Sequence, residues 1–214
     1  MAAAMGLIET MYVQEGMIAL ESLHRQRLER GIRHLGGTMS VDAVFAQLYE
    51  TMRSVSFPEM KLRLELYPQL PDRAPLIECK AFSRASLKGI VLGLFRDNYI
   101  KSFQSTGLKT TQRDIYAQAL AAANVQSCDD LILLNERGEC AETGIYNILW
   151  CTADGRWYTP PLSSGCVAGV QRAHLIASGI LVERSCTPSD LQNASAIRVC
   201  NALRGILPVE RIIF

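Results

Sequence analysis

The sequence has little of what would tie a chain to nucleic acid, a membrane or a metal. Its 22 Lys and Arg against 21 Asp and Glu leave a formal net charge of +1, so charge points to no polyanion or anionic surface as a partner. No array interleaves aromatic with basic residues as single-strand binders do. No apolar run approaches a membrane span, and the opening Met-Ala-Ala-Ala-Met lacks the basic n-region and long apolar core of an export signal. There is no Cys-x-x-Cys pair: the seven cysteines, at 79, 128, 140, 151, 166, 186 and 200, are odd in number and scattered. They read as small core residues in a reducing compartment. Histidines at 24, 34 and 174 have no zinc-site spacing. Repeats and low-complexity tracts are absent. The expectation is a soluble, unexported, cytoplasmic protein, without nucleic acid, membrane or metal.

What is present is apolar content, 49% of 214 residues, enough for one large or two small domains. Leu7 to Val13 alternates as a strand, with Glu9 and Met11 on one face and Ile8 and Thr10 on the other. A helix from about Ala19 is stopped by Gly36-Gly37, with Leu20, Leu23, Leu28 and Leu35 as its buried stripe. His24 and Arg27 fall on that stripe. A buried guanidinium needs an anion, either a glutamate such as Glu9 or a ligand phosphate or carboxylate. Ser40 caps a second helix through about Arg53, with Val44, Leu48 and Met52 on one side. Met60 to Tyr67, Leu76 to Phe82 and Gly89 to Phe95 read as strands, so the first half is an α+β unit, a sheet backed by two helices. Asp97 to Gly107 reads as the inter-domain connection, dividing the chain into 1–103 and a strand-rich 104–214.

Lys109 precedes a helical run, Thr110 to Asn124, in which Ile115, Ala119 and Ala122/Ala123 share a face and Thr110 or Thr111 is the candidate N-cap. Near the positive end of a helix dipole a neutral amine or an imine is preferred to an ammonium, which suits a covalent-catalysis lysine; a solvated lysine is the plain alternative. Leu131 to Leu134 is a short buried strand. The turn Asn135-Glu-Arg-Gly138 follows, returning the chain toward Glu142 and a strand around Ile145 to Cys151. Gly165-Cys-Val-Ala-Gly169 leads into an amphipathic helix, Gln171 to Ser178, where glycines and free amides favour an anion or are simple punctuation. Leu181 to Arg184, Ala196 to Cys200 and Val209 to Phe214 are further strands.

Seven stretches, in order, carry a resemblance: Leu7-Ile-Glu-Thr-Met11, His24-Arg-Gln-Arg-Leu28, Leu108-Lys-Thr-Thr-Gln-Arg113, Leu133 to Asn147, Thr159-Pro-Pro-Leu162, Gly165 to Arg172, and Asn201-Ala-Leu-Arg-Gly205. Together they resemble the class IV pyridoxal-phosphate enzymes, which include branched-chain and D-amino-acid aminotransferases and aminodeoxychorismate lyase. The wording is most similar to the lyase domain fused behind aminodeoxychorismate synthase.

The resemblance implies a two-domain D-amino-acid aminotransferase-like α/β fold of α+β type. It implies that 104–214 is the cofactor-binding domain and that 1–103 is trimmed of N-terminal strands, and it implies a homodimer acting on a small-molecule amine. It makes Lys109 the covalent anchor of pyridoxal 5'-phosphate and the proton shuttle, and Glu142 the partner of the ring nitrogen, which would otherwise read as an exposed hairpin acid. Arg27 and the amides of Val170 and Gln171, reached past Gly169, take the phosphate. Asn147 and Asn201 support loops around the site. Ala202 stands where many relatives carry a hydroxyl, and Thr10 where the lyases are thought to assist proton transfer. The implied activity is conversion of 4-amino-4-deoxychorismate to 4-aminobenzoate and pyruvate. The alternatives are a class IV aminotransferase and a cofactor-binding relative without turnover. Whether Arg113, Arg172 or Arg204 grips substrate carboxylates is left open.

Overall fold

The computed structural model describes residues 4–85, 88–101, 106–125 and 127–214. The chain forms two compact units, Met1–Ser86 with Leu108–Gln112, and Leu87–Gly107 with Arg113–Phe214. The sequence placed one boundary near 103. Instead the chain enters the second unit, returns to lend five residues to the first, and goes back.

In the first unit β1 (Leu7–Gln14), β2 (Met17–Ile18), β3 (Glu59–Leu66) and β4 (Leu76–Ala81) form an antiparallel sheet in the order β2-β1-β3-β4. On β3, buried Met60, Leu62, Leu64 and Leu66 alternate with half-buried neighbours, as a strand with one face on the core requires. Their register partners on β1 are Val13, Met11, Glu9 and Leu7, so pairing places the Glu9 carboxylate on the apolar side of the sheet. That side packs on α1 (Glu21–His34) and α2 (Val41–Arg53) through Leu28, Ile32, Val44, Phe45 and Leu48. Ser40 caps α2 as expected, its hydroxyl accepting from the Ala43 amide at 3.3 Å.

The buried stripe of α1 is His24, Arg27, Leu28, Gly31 and Ile32: His24, Arg27 and Leu28 lie on it as expected, whereas Leu20, Leu23 and Leu35 do not. Leu20 lies before the helix at φ 55. Close approach of helix to sheet explains the shift, because a Cβ on Gly31 would lie 2.8 Å from the Leu7 methyls.

The second unit holds β5 (Ile90–Ile100), α3 (Asp114–Val125), β6 (Asp130–Asn135), β7 (Cys140–Thr143), β8 (Asn147–Cys151) and β9 (Trp157–Thr159). It continues with α4 (Val170–Ala177), β10 (Leu181–Glu183), α5 (Pro188–Gln192), β11 (Ala196–Asn201) and β12 (Gly205–Ile213). Its sheet order is β10-β9-β8-β11-β12-β5-β6-β7. β5 belongs here because it is paired in parallel between β6 and β12. Its reach to Ile100 replaces the start of the expected connection; 102–105 lie outside the described residues. Parallel β5 and β6 need a crossover, which α3 supplies by packing Ala119 and Ala123 on Phe95, Leu131 and Leu133. α5, absent from the sequence reading, has a legible signal: Thr187-Pro-Ser-Asp190 forms a capping box with Pro at the helix start. All seven cysteines carry reduced thiols, six of them buried. Among the described residues no helix is long and apolar enough to cross a membrane, and no cluster of His, Cys, Asp and Glu could hold a metal ion.

Candidate active site

In the first unit the chemistry gathers around Glu9. Arg27 donates to it through Nε at 2.8 Å and Nη2 at 2.5 Å, and His24 Nδ1 lies 2.6 Å from Oε2. Burial pushes the Glu9 carboxyl up, but Arg27 and then His24 outweigh it and hold the group at about 2. Burial lowers His24 despite Glu9, with Arg27 and Lys109 adding to the depression. A neutral ring whose Nδ1–H faces Glu9 leaves Nε2 as an acceptor, buried without a hydrogen-bond partner. Of the two anions considered for Arg27, Glu9 is therefore one that it meets.

Lys109 is not at a helix start. α3 begins at Asp114, so neither Thr110 nor Thr111 caps it, and the dipole argument loses its basis at a separation of five residues. The short β2 pairs with Val13 and Gln14 alone, and residues 109–111 take the other end of the β1 edge. The Lys109 carbonyl accepts from the Ile8 amide at 2.8 Å, Thr110 bridges Leu7, and the Thr111 amide donates to the Gly6 carbonyl at 2.9 Å. Thus Lys109 is half-buried and its backbone is fixed to a sheet edge. Thr10 is half-buried on β1, on the face opposite Glu9, with Arg63 as its register partner.

In the second unit Glu142 lies on β7, whose four residues are all buried, so it is no exposed hairpin acid. The Tyr116 hydroxyl donates to Oε1 at 2.7 Å and Asn147 Nδ2 to Oε2 at 3.3 Å. Asn147 Nδ2 also donates to the Val167 carbonyl at 3.0 Å. The turn joining β7 to β8 is pinned by Asp130, which accepts from Thr143 Oγ1 at 2.7 Å and from the amides of Gly144 and Ile145 at 2.9 and 3.0 Å. Burial raises the Asp130 carboxyl although these donors pull it down.

Gly169 precedes α4 at φ −65, ordinary for any residue, yet a Cβ there would stand 1.9 Å from Asn147 Oδ1. Val170 and Gln171 open the helix, where amides have no intrahelical acceptor. Asn201 Nδ2 donates to the Ile145 carbonyl at 3.2 Å, and its Oδ1 accepts from the Arg204 amide at 2.7 Å, closing the β11–β12 turn around buried Ala202. Two of the open arginines have structural partners: Arg172 is buried and donates to the Pro160 carbonyl and Glu183, and Arg113 donates to the Gly144 carbonyl at 2.7 Å.

Tyr116 and Asp130 escaped the sequence reading. The first had a signal, since 116, 119 and 123 share a helical face. The second had none, because its partners lie 13 to 15 residues away and depend on strand pairing.

Lys109, Glu9, His24, Arg27 and Thr10 thus fall in the first unit, and Glu142, Asn147, Gly169, Val170, Gln171, Asn201 and Ala202 in the second. Within the second unit, a buried carboxylate that accepts from Tyr116 and Asn147 and a helix start opened by a glycine that tolerates no Cβ are groups that fit the ring nitrogen and the phosphate of a phosphorylated heteroaromatic aldehyde; within the first, Lys109 is a half-buried amine fixed by its backbone.

Comparison with known proteins gives the context. Residues 6–212 match the family model described as amino-transferase class IV. The crystal structure of a putative amino-acid aminotransferase from Mesorhizobium loti superposes with a TM-score of 0.87 at 30% identity, covering 97% of this chain and 99% of that one. An uncharacterized protein of Haemophilus influenzae is 23% identical over 94% of this chain and 98% of its own length. Aminodeoxychorismate lyase of Vibrio harveyi is 33% identical over 102 residues, 44% of this chain but 37% of the lyase.

Proposed function

The chain belongs to the class IV aminotransferase family, and from that premise we propose that it is a pyridoxal-phosphate lyase forming 4-aminobenzoate and pyruvate from 4-amino-4-deoxychorismate. The observation that carries this reading over others in the family is the 33% identity to the Vibrio harveyi lyase.

The cofactor, when bound, supplies an electron sink for a carbanion at the substrate's amino-bearing carbon. The chain's residues do the rest. Lys109 Nζ would be the amine that anchors the cofactor and the group that moves the proton at that carbon, with the Thr10 hydroxyl assisting. The Glu142 carboxylate keeps a proton on the ring nitrogen. Arg27, with its plane fixed by the Glu9 fork, and the amides of Val170 and Gln171 take the phosphate. Asn147 and Asn201 hold the loops on which these groups stand, and at Ala202, which has no hydroxyl, any contact to the phosphate would come from the backbone. Loss of the enolpyruvyl group as pyruvate leaves an aromatic amine with no net oxidation, so no keto acid is consumed. A cytoplasmic homodimer is part of this reading.

One observation favours a second reading, an aminotransferase: the Mesorhizobium loti likeness runs over nearly the whole of both chains. Aminobenzoate release from enzymatically generated substrate without added keto acid supports the lyase. Strict dependence on a keto acid replaces it with the aminotransferase. For the step common to both, Lys109→Ala is expected to abolish the borohydride-fixed cofactor adduct; an adduct persisting on Lys101 would refute the assignment.

A further inference from the structure

Tyr116 has no part in the chemistry outlined above, yet its hydroxyl donates to Glu142. It stands on the core-facing side of α3, three residues before buried Ala119, with its ring packed against the Phe95, Leu131 and Leu133 cluster. Its hydroxyl reaches Glu142 Oε1 at 2.7 Å. The Arg113 guanidinium lies over the same ring, 4.1 Å from its centroid, and is itself tied to the Gly144 carbonyl. A cation over a phenol draws electron density from it and strengthens the O–H as a donor. Burial and the Glu142 charge raise Tyr116 above the ordinary phenol range, so it stays protonated and always donates.

We propose that Tyr116, backed by Arg113, is a positioning residue that sets how much proton the Glu142 carboxylate leaves on the cofactor ring. A carboxylate shares a proton with a ring nitrogen according to their relative basicities. A donor on the far oxygen lowers the basicity of the carboxylate, and the proton stays on the ring. A protonated ring withdraws electrons from the cofactor's bond to lysine and lowers the pH at which that linkage loses its proton. The inference rests on the reading of Glu142 as the ring-nitrogen partner. Cys166 also faces this cluster; burial pushes its thiol up to about 12, so it stays neutral through the useful pH range.

The test is a pH titration of the visible absorption of the holoenzyme, which follows protonation at the linkage and needs no turnover. Tyr116→Phe removes one hydroxyl and keeps the ring, and is expected to move the midpoint upward by about half a pH unit or more, since a hydrogen bond to a charged group is worth roughly one pK unit or above. Glu142→Gln is expected to move it further in the same direction, and the double variant no further than Glu142→Gln alone. Should Tyr116→Phe fold poorly, fluorotyrosine at position 116, a stronger donor, is expected to move the midpoint downward. A shift with Glu142→Gln but none with Tyr116→Phe, or shifts that add in the double variant, overturns the role of Tyr116 and leaves the proposed function intact. No shift with Glu142→Gln overturns both. A purely structural role would lower thermal stability without moving the midpoint.

Discussion

Each unit buries one glutamate among apolar side chains, and the two are treated differently. Glu9, 2% exposed, meets a guanidinium fork and an imidazole. Glu142, 4% exposed, accepts from the Tyr116 phenol and the Asn147 carboxamide. Ionic pairing compensates a buried charge where it stands and makes the carboxylate part of the framework. A phenol and a carboxamide orient a carboxylate and lower its basicity without cancelling its charge, which is compatible with the role proposed for Glu142. The difference teaches that two carboxylates buried to a similar degree can be held by donors of different chemistry.

The comparison can be broken by exchanging each acid for its amide. Glu9→Gln removes the carboxylate charge from the buried Arg27 fork and is expected to cost about 3 kcal/mol of stability in denaturant unfolding. Glu142→Gln is expected to cost about 1 kcal/mol or less, because amide and acid can both accept from Tyr116. Equal losses would remove the distinction. Gly169→Ala asks a methyl to share space with Asn147 Oδ1 and is expected to cost about 1–3 kcal/mol. Because Asn147 is the second donor to Glu142, the same change is expected to weaken cofactor binding, measured by apo-protein titration.

The smallest effect is on pH dependence. The Glu9 carboxyl is lowered from 4.5 to about 2 on folding, so its contribution is fully present above pH 4.5 and is lost as pH falls toward 2. The acid limb of the stability profile in that window is expected to be shallower in Glu9→Gln than in the unaltered protein. An unchanged limb would mean that other carboxylates govern it.

Much of the fold was legible residue by residue. The alternation of β1 and β3, the Ser40 cap of α2, and the small-residue face of α3 are local signals, written within a few positions of where they act. On α1 the expected stripe holds at His24, Arg27 and Leu28 and fails at Leu20, Leu23 and Leu35, because hydropathy ranks every leucine as a core residue. Glu9, supplied by the neighbouring strand, is a partner that compensates the burial of both His24 and Arg27. The position of Lys109 was misjudged for a related reason. A helix start and a sheet-edge bridge look alike over five residues, and the open end of β1 decides between them.

By itself the sequence determined the family, through the order of seven short stretches, and with it which side chains are candidates for the chemistry. Order along a chain survives without knowledge of contacts. What only the tertiary structure decided was the partner of each candidate: Glu9 for Arg27, Tyr116 and Asn147 for Glu142, the β1 edge for Lys109. The physical reason is range. Hydrogen bonds and ion pairs act over a few ångströms, and the groups that form them here lie 5 to about 100 residues apart in the chain, brought together by strand pairing and helix packing that no local pattern encodes.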